Sequence, residues 1–192
     1  MSKTLILLPK PLHFAAAFLI VLTLITLATL TWQKCAIYKS SETLWQDTLR
    51  KNPDAWIAHS NFGNILLAQG KLTDAITHYR HALQLNPNYT EAYNNLAWAL
   101  ATHPDPNIRQ PEQAVRLAEY CYQLYGRPHV HILDTLGAAY AAAGQFDKAI
   151  IFAQQAYDLA SLQNNPLADR IRYRLDLYSH KKLYLQPPPP KR

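Results

Sequence analysis

Glycine is scarce in this chain. There are five in 192 residues, and four of them, Gly63, Gly70, Gly137 and Gly144, stand at matching places in two similar stretches. Only Gly126 is left over, so no glycine cluster is available for a phosphate loop or a dinucleotide fingerprint. Cysteine is scarcer, with Cys35 and Cys121 alone, too few and too far apart for a disulfide framework. Strand-like alternation is nearly absent. His78 and His81 are spaced i, i+3, and His129 and His131 make a second pair. Neither pair has a Cys or carboxylate at ligand spacing, and no HExxH occurs, so they read as surface histidines rather than metal ligands. No serine or cysteine is paired with a base by spacing, and no two carboxylates stand out. The sequence therefore offers no catalytic residue, no metal site and no cofactor.

Basic residues are missing where a nucleic-acid groove would need them. The net charge is +6, yet residues 34–169 carry ten Lys and Arg against twelve Asp and Glu. Residues 170–192 carry seven against one. A basic end on a slightly acidic body excludes a nucleic-acid face. Two readings of that end stand: charge that solvates it, or contact with anionic lipid headgroups.

What is present is a repeat. From Trp56 to Tyr89 the chain reads as helix–turn–helix, with Phe62, Gly63 and Leu66 before a Gly70-Lys71 break. Ala75, Tyr79 and Ala82 follow, then Pro87. Thirty-four residues on come Tyr93, Leu96, Ala97 and Leu100, then, after an insertion, Ala114, Ala118 and Cys121. A third copy has Leu133, Leu136, Gly137 and Tyr140, then Ala149, Ala153 and Ala156. Cys121 occupies the place of Ala82 and Ala156 and reads as a small buried residue. Stepping back one period aligns Trp45, Thr48 and Pro53 with Tyr79, Ala82 and Pro87, which marks a half-repeat.

This pattern resembles the tetratricopeptide repeat (TPR), whose period and W-x2-L-G-x2-Y…A-x3-F…P signature it follows without the signature tryptophan. The resemblance implies an all-α superhelical solenoid. The expected organisation is a half-repeat at 40–55 and repeats at 56–89, 90–129 (with an insertion at 102–110) and 130–163. A capping helix follows at 165–180, then a disordered, Pro-rich basic tail at 181–192. In the capping helix Leu167, Ile171, Leu175 and Tyr178 form the apolar stripe, while Arg170, Arg172 and Arg174 turn to water. The insertion, broken by Pro104, Pro106 and Asn107, is either a neutral loop or a binding edge.

Ahead of the repeats, and after an N-terminal segment 1–10, residues 11–33 read as a single transmembrane helix. The stretch PLHFAAAFLIVLTLITLATLTW has no formal charge and about the length of a bilayer core. Trp32, Tyr38, Lys34 and Lys39 suit an interfacial edge. A cleaved signal peptide or a buried helix are the alternatives. Flanking charges are balanced, so orientation is open. Ser41 is expected to cap the helix that follows.

The resemblance also implies a groove lined by the first helix of each repeat and used for extended peptides. The positions it points to are Ser60, Asn61 and Asn64 in the first repeat and Asn94 and Asn95 in the second. In the third they are His131, Asp134 and Thr135. Asn61 and Asn95 fall where some family members carry an asparagine ladder; consensus asparagines without that role are the competing reading. The Lys and Arg set that clamps a C-terminal carboxylate is missing. The expected function is a membrane-anchored scaffold for a protein or peptide ligand. A second reading treats the chain as the C-terminal piece of a polytopic membrane protein, because the junction resembles bacterial mannosyltransferase-type enzymes with extracytoplasmic repeats. A third is self-association.

Overall fold

The computed structural model describes residues 10–37 and 39–187; within the first helix, side chains are described at 15, 17–33 and 35. The expected N-terminal segment, apart from Lys10, and the tail beyond residue 187 lie outside the described residues. Two compact units are present, 1–47 and 48–192.

The first unit contains α1 (Lys10–Ile37) and the start of α2 (Ser41–Lys51). Phe18, Leu19, Ile20 and their apolar neighbours through Leu30 leave half or more of their surface exposed. Thr23 and Thr26 return their hydroxyls to the carbonyls of Leu19 and Leu22 at 2.7 and 2.8 Å, which hides these polar groups against the helix. A bilayer span takes about 20 apolar residues. Among the described residues, no helix is long and apolar enough to cross a membrane. The cap of α2 is Ser40 rather than Ser41. Its Oγ accepts the Thr43 N–H at 3.1 Å and its carbonyl accepts the Leu44 N–H at 3.1 Å.

The regular elements among the second unit's described residues are all helices: α3 (Trp56–Ala68), α4 (Leu72–Leu85), α5 (Thr90–Thr102), α6 (Pro111–Tyr125), α7 (Val130–Ala142), α8 (Phe146–Leu162) and α9 (Ala168–Ser179), after the end of α2. α3 packs on α4, α5 on α6 and α7 on α8, and each pair stacks on the next through α4–α5 and α6–α7. The first helices of successive pairs also touch, α3 with α5 and α5 with α7, while α9 closes the end against α8 and α7.

Small residues make this stacking possible. Ala75, Ala82, Ala114, Ala118, Ala149, Ala153 and Ala156 are fully buried on the second helices. Gly63 and Gly137 receive them from the first. A methyl group on Gly63 would stand 2.6 Å from Cε1 of Tyr79, and one on Gly137 would stand 3.3 Å from the backbone nitrogen of Ala153. The two contacts are equivalent: one repeat fills the place with a ring, the other with backbone. Cys121 is fully buried, and burial pushes its thiol up to about 11. Cys35 is exposed.

His78 departs from the surface reading. It is half-buried, and its Nδ1 lies 2.9 Å from Nδ1 of His59, whose Nε2 lies 2.8 Å from the Pro53 carbonyl. A carbonyl only accepts, so His59 carries its proton on Nε2 and accepts from His78 at Nδ1. Burial, followed by the nearby His59 and His81, lowers the His78 pKa against a smaller opposing pull from Asp74, which favours the neutral ring. His81 stacks its face on His59, with centroids 5.3 Å apart, rather than aiming a nitrogen.

Gly63→Ala tests the close approach. The new methyl has to displace the fully buried Tyr79 ring, so stability should fall by about 1–3 kcal/mol. Thermal unfolding followed by helical circular dichroism reads it, and an unchanged midpoint would show that the ring yields freely.

Candidate functional site: a polar groove on the first helices

The first helices carry polar residues on the side turned away from the alanine seam. A cavity of about 470 Å³ opens there, bordered by Asn64 and Leu67 of α3, Asn94, Asn95 and Trp98 of α5, and His131, Asp134 and Thr135 of α7. Arg170 and Arg174 of α9 close one side, with Tyr184, Gln186 and Pro187 beyond. A second cavity of about 280 Å³ lies alongside, sharing Asn64, Asn94, Asn95 and His131 and reaching Cys121, Tyr125 and His129.

Of the positions expected from sequence, Asn64, Asn94, Asn95, His131, Asp134 and Thr135 are brought to one groove. Ser60 is buried, and neither it nor Asn61 borders either cavity. The amides that meet are Asn64 and Asn95. Asn95 Nδ2 donates to Asn64 Oδ1 at 2.9 Å, and the same oxygen accepts the Tyr79 hydroxyl at 2.8 Å. A buried tyrosine thus fixes the first amide, and the first fixes the second. Helical phase explains why Asn64 stands where Asn61 was expected: three residues apart, they share a face, but Asn64 is the exposed one. Thr135 is buried, and its hydroxyl returns to the His131 carbonyl at 2.8 Å, so it is occupied within its own helix.

Asp134 and Arg174 change the picture most. Arg174 does not face water: its side chain and that of Asp134 are 3% and 8% exposed. Its Nε and Nη2 donate to the two Asp134 oxygens at 2.8 and 2.6 Å, a bidentate pair between α7 and α9. Burial pushes the Asp134 carboxyl up, and Arg174 opposes that with its charge and its hydrogen bonds. The guanidinium also lies 5.2 Å from the ring centres of both Trp98 and Tyr184. An arginine on the presumed polar face of a capping helix gives no sequence sign of this, because its partner is 40 residues away.

The insertion is ordered around His103, which is buried. His103 Nδ1 accepts the Asp105 N–H at 3.1 Å, and Arg109 donates to the His103 carbonyl at 3.0 Å. Ile108 packs on the main core, and Gln110 N–H returns to the Leu100 carbonyl at 3.1 Å. Among the described residues, no three His, Cys, Asp or Glu side chains are grouped to hold a metal ion.

An all-helical stack of antiparallel pairs with a polar groove on its first helices is consistent with a TPR solenoid. A family model described as TPR repeat matches residues 63–103, from the middle of α3 to the end of α5. The chain is similar to Protein O-mannosyl-transferase TMTC1 of Homo sapiens, 37% identical over 84 residues, which are 42% of this chain and 10% of that protein. It is likewise similar to Protein O-mannosyl-transferase TMTC1 of Mus musculus, 37% identical over 76 residues, 40% of this chain and 8% of that protein. The chain spans about a tenth of the length of the curated relatives it matches. What matches is the repeat region.

Arg174→Met leaves the Asp134 carboxyl buried without its partner and should cost about 3–5 kcal/mol of stability. Replacing both, as Asp134→Leu with Arg174→Met, should recover most of that loss in the same unfolding measurement. Additive losses would show that the two groups act independently.

Proposed function

We propose that the chain is a membrane-anchored TPR module that holds an extended peptide or protein segment in the groove between α3, α5 and α7. The observation that carries the binding reading is the Asn64–Asn95 pair at the centre of that groove. Carboxamides donate and accept, so they can engage a main chain whatever side chains it bears. Repeats of this kind supply a surface rather than chemistry.

The anchoring reading is supported by α1. Most of the side chains described on it are apolar and exposed, Phe18 by 68% and Trp32 by 75%. Each such group left in water forgoes roughly 1.5–3 kcal/mol, and lipid is a cover that satisfies all of them at once. Lys39 Nζ lies 6.0 Å from the Trp32 ring, a pairing suited to the headgroup level. We place the repeats on the extracytoplasmic side, by the resemblance of the junction.

The similarity to the two O-mannosyl-transferases favours a second reading, in which this repeat region serves a larger membrane transferase of that type, with the chemistry elsewhere.

For the groove, peptides selected by display on the immobilised chain are the probe. Asn64→Ala with Asn95→Ala should weaken them by about 1–2 kcal/mol, roughly 5–30-fold; unchanged affinity would remove the amides from the site. An immunoblot of carbonate-washed native membranes separates the remaining readings. A retained band near 21.9 kDa supports an anchored module. A band several times larger supports the transferase, and loss to the wash overturns anchoring.

A further inference from the structure

The groove is already in use. α9 ends at Ser179, and Lys181 takes φ +54°, a left-handed conformation uncommon outside glycine, which turns the chain back on itself. Lys182 N–H then donates to the Leu177 carbonyl at 2.8 Å, closing the turn. Beyond it no regular element forms through residue 187. Leu183 and Tyr184 pack on the main hydrophobic core, and the Tyr184 ring lies 5.8 Å from that of Trp98 and 5.2 Å from the Arg174 guanidinium. Gln186 N–H donates to the carbonyl of Thr102 at 2.9 Å. That carbonyl closes α5, and the last carbonyls of a helix have no partner within it. The 102–110 insertion, which leads away from this end of α5, leaves it open to a second chain.

One main-chain hydrogen bond with an aromatic residue seated in a pocket is how a groove takes a peptide. The described part of the expected tail, 181–187, carries these contacts. The hold is also slight. Among the described residues, the Gln186 bond is the one main-chain hydrogen bond that residues 183–187 make, and Leu185 is exposed. Segments with few buried contacts open far more readily than helical cores.

We infer that residues 182–187, Lys-Leu-Tyr-Leu-Gln-Pro, are a resident ligand of the groove, tethered in place, which an incoming extended segment of aliphatic and aromatic character must displace. The inference rests on the reading of this groove as a peptide site. It adds the chemistry of the ligand and a barrier to binding: a tether this short presents the segment at millimolar effective concentration or above.

The test uses the full chain in detergent. Residue-resolved amide exchange should show Gln186 slowed at least about tenfold relative to a free peptide of residues 180–192, yet faster than Ala139 in α7. Exchange at the free-peptide rate would mean that the segment is not seated. Exchange as slow as Ala139 would mean that it is a permanent part of the fold. Either overturns the inference. The same peptide, fluorescently labelled, should bind the full-length Leu183→Ala/Tyr184→Ala variant about tenfold or more tightly than the wild type. If that variant loses its unfolding transition, Gln186→Pro removes the N–H donor while leaving Leu183 and Tyr184 in place, and should shift affinity the same way. Equal affinity for a folded variant and the wild type, or none for either, overturns the inference. The asparagine variants above test the groove reading through external peptides, so that reading can fail while the tail remains seated.

Discussion

Helix pairs in this chain approach as closely as the residues between them allow, and everything functional sits on the consequence. Where Gly137 meets Ala153 the two helices lie backbone to backbone, and where Gly63 meets Tyr79 only the tyrosine ring lies between them. The alanine seam on the second helices repeats that condition through the stack, with buried Ala75, Ala114 and Ala149 at equivalent places. An alanine seam buries little area per residue, so large side chains are needed to complete the core. Tyr79 and Tyr178, both fully buried, supply much of it. Tyr79 then does a second thing: its hydroxyl leaves the core and fixes Asn64 in the groove. Packing and recognition are joined in one residue.

The end of the solenoid works differently. A cap made only of an apolar stripe would cover the last pair and stop there. Here α9 also sends Arg174 inward to a carboxylate on α7, a buried pair whose value depends on both members being present. Because the guanidinium is held there, it offers a fixed flat cation to two aromatic rings, one from α5 and one from the returning chain. The groove wall is thus built from a charge pair, a cap and a tail, on elements far apart in sequence. A site assembled this way can be altered from the C-terminal end without touching the repeats.

Much of the fold was legible because it is periodic. Spacing alone pointed to an all-helical stack with small residues at its contacts, since helix–helix contact demands a small residue at a fixed phase. Gly70 and Gly144 have φ of 74° and 73°, as a turn after the first helix of a pair requires. The helix start was missed by one residue because Ser40 and Ser41 are both able to cap, and only geometry chooses. The groove was legible as a face but not as contacts. Asn95 was anticipated with Asn61, whereas its amide partner is Asn64.

Local chemistry therefore determined the helical repeat and the apolar run of α1, because each depends on residues within a turn or two of one another. Tertiary structure alone decided where Arg174 points, what His78 bonds to and what the tail does. Those outcomes depend on partners 40, 19 and 84 residues away, counting from Thr102 to Gln186 for the last. No period or propensity links such positions. A six-residue segment between lysines and prolines carries no signal of its own, and it becomes structure only when a groove is built for it.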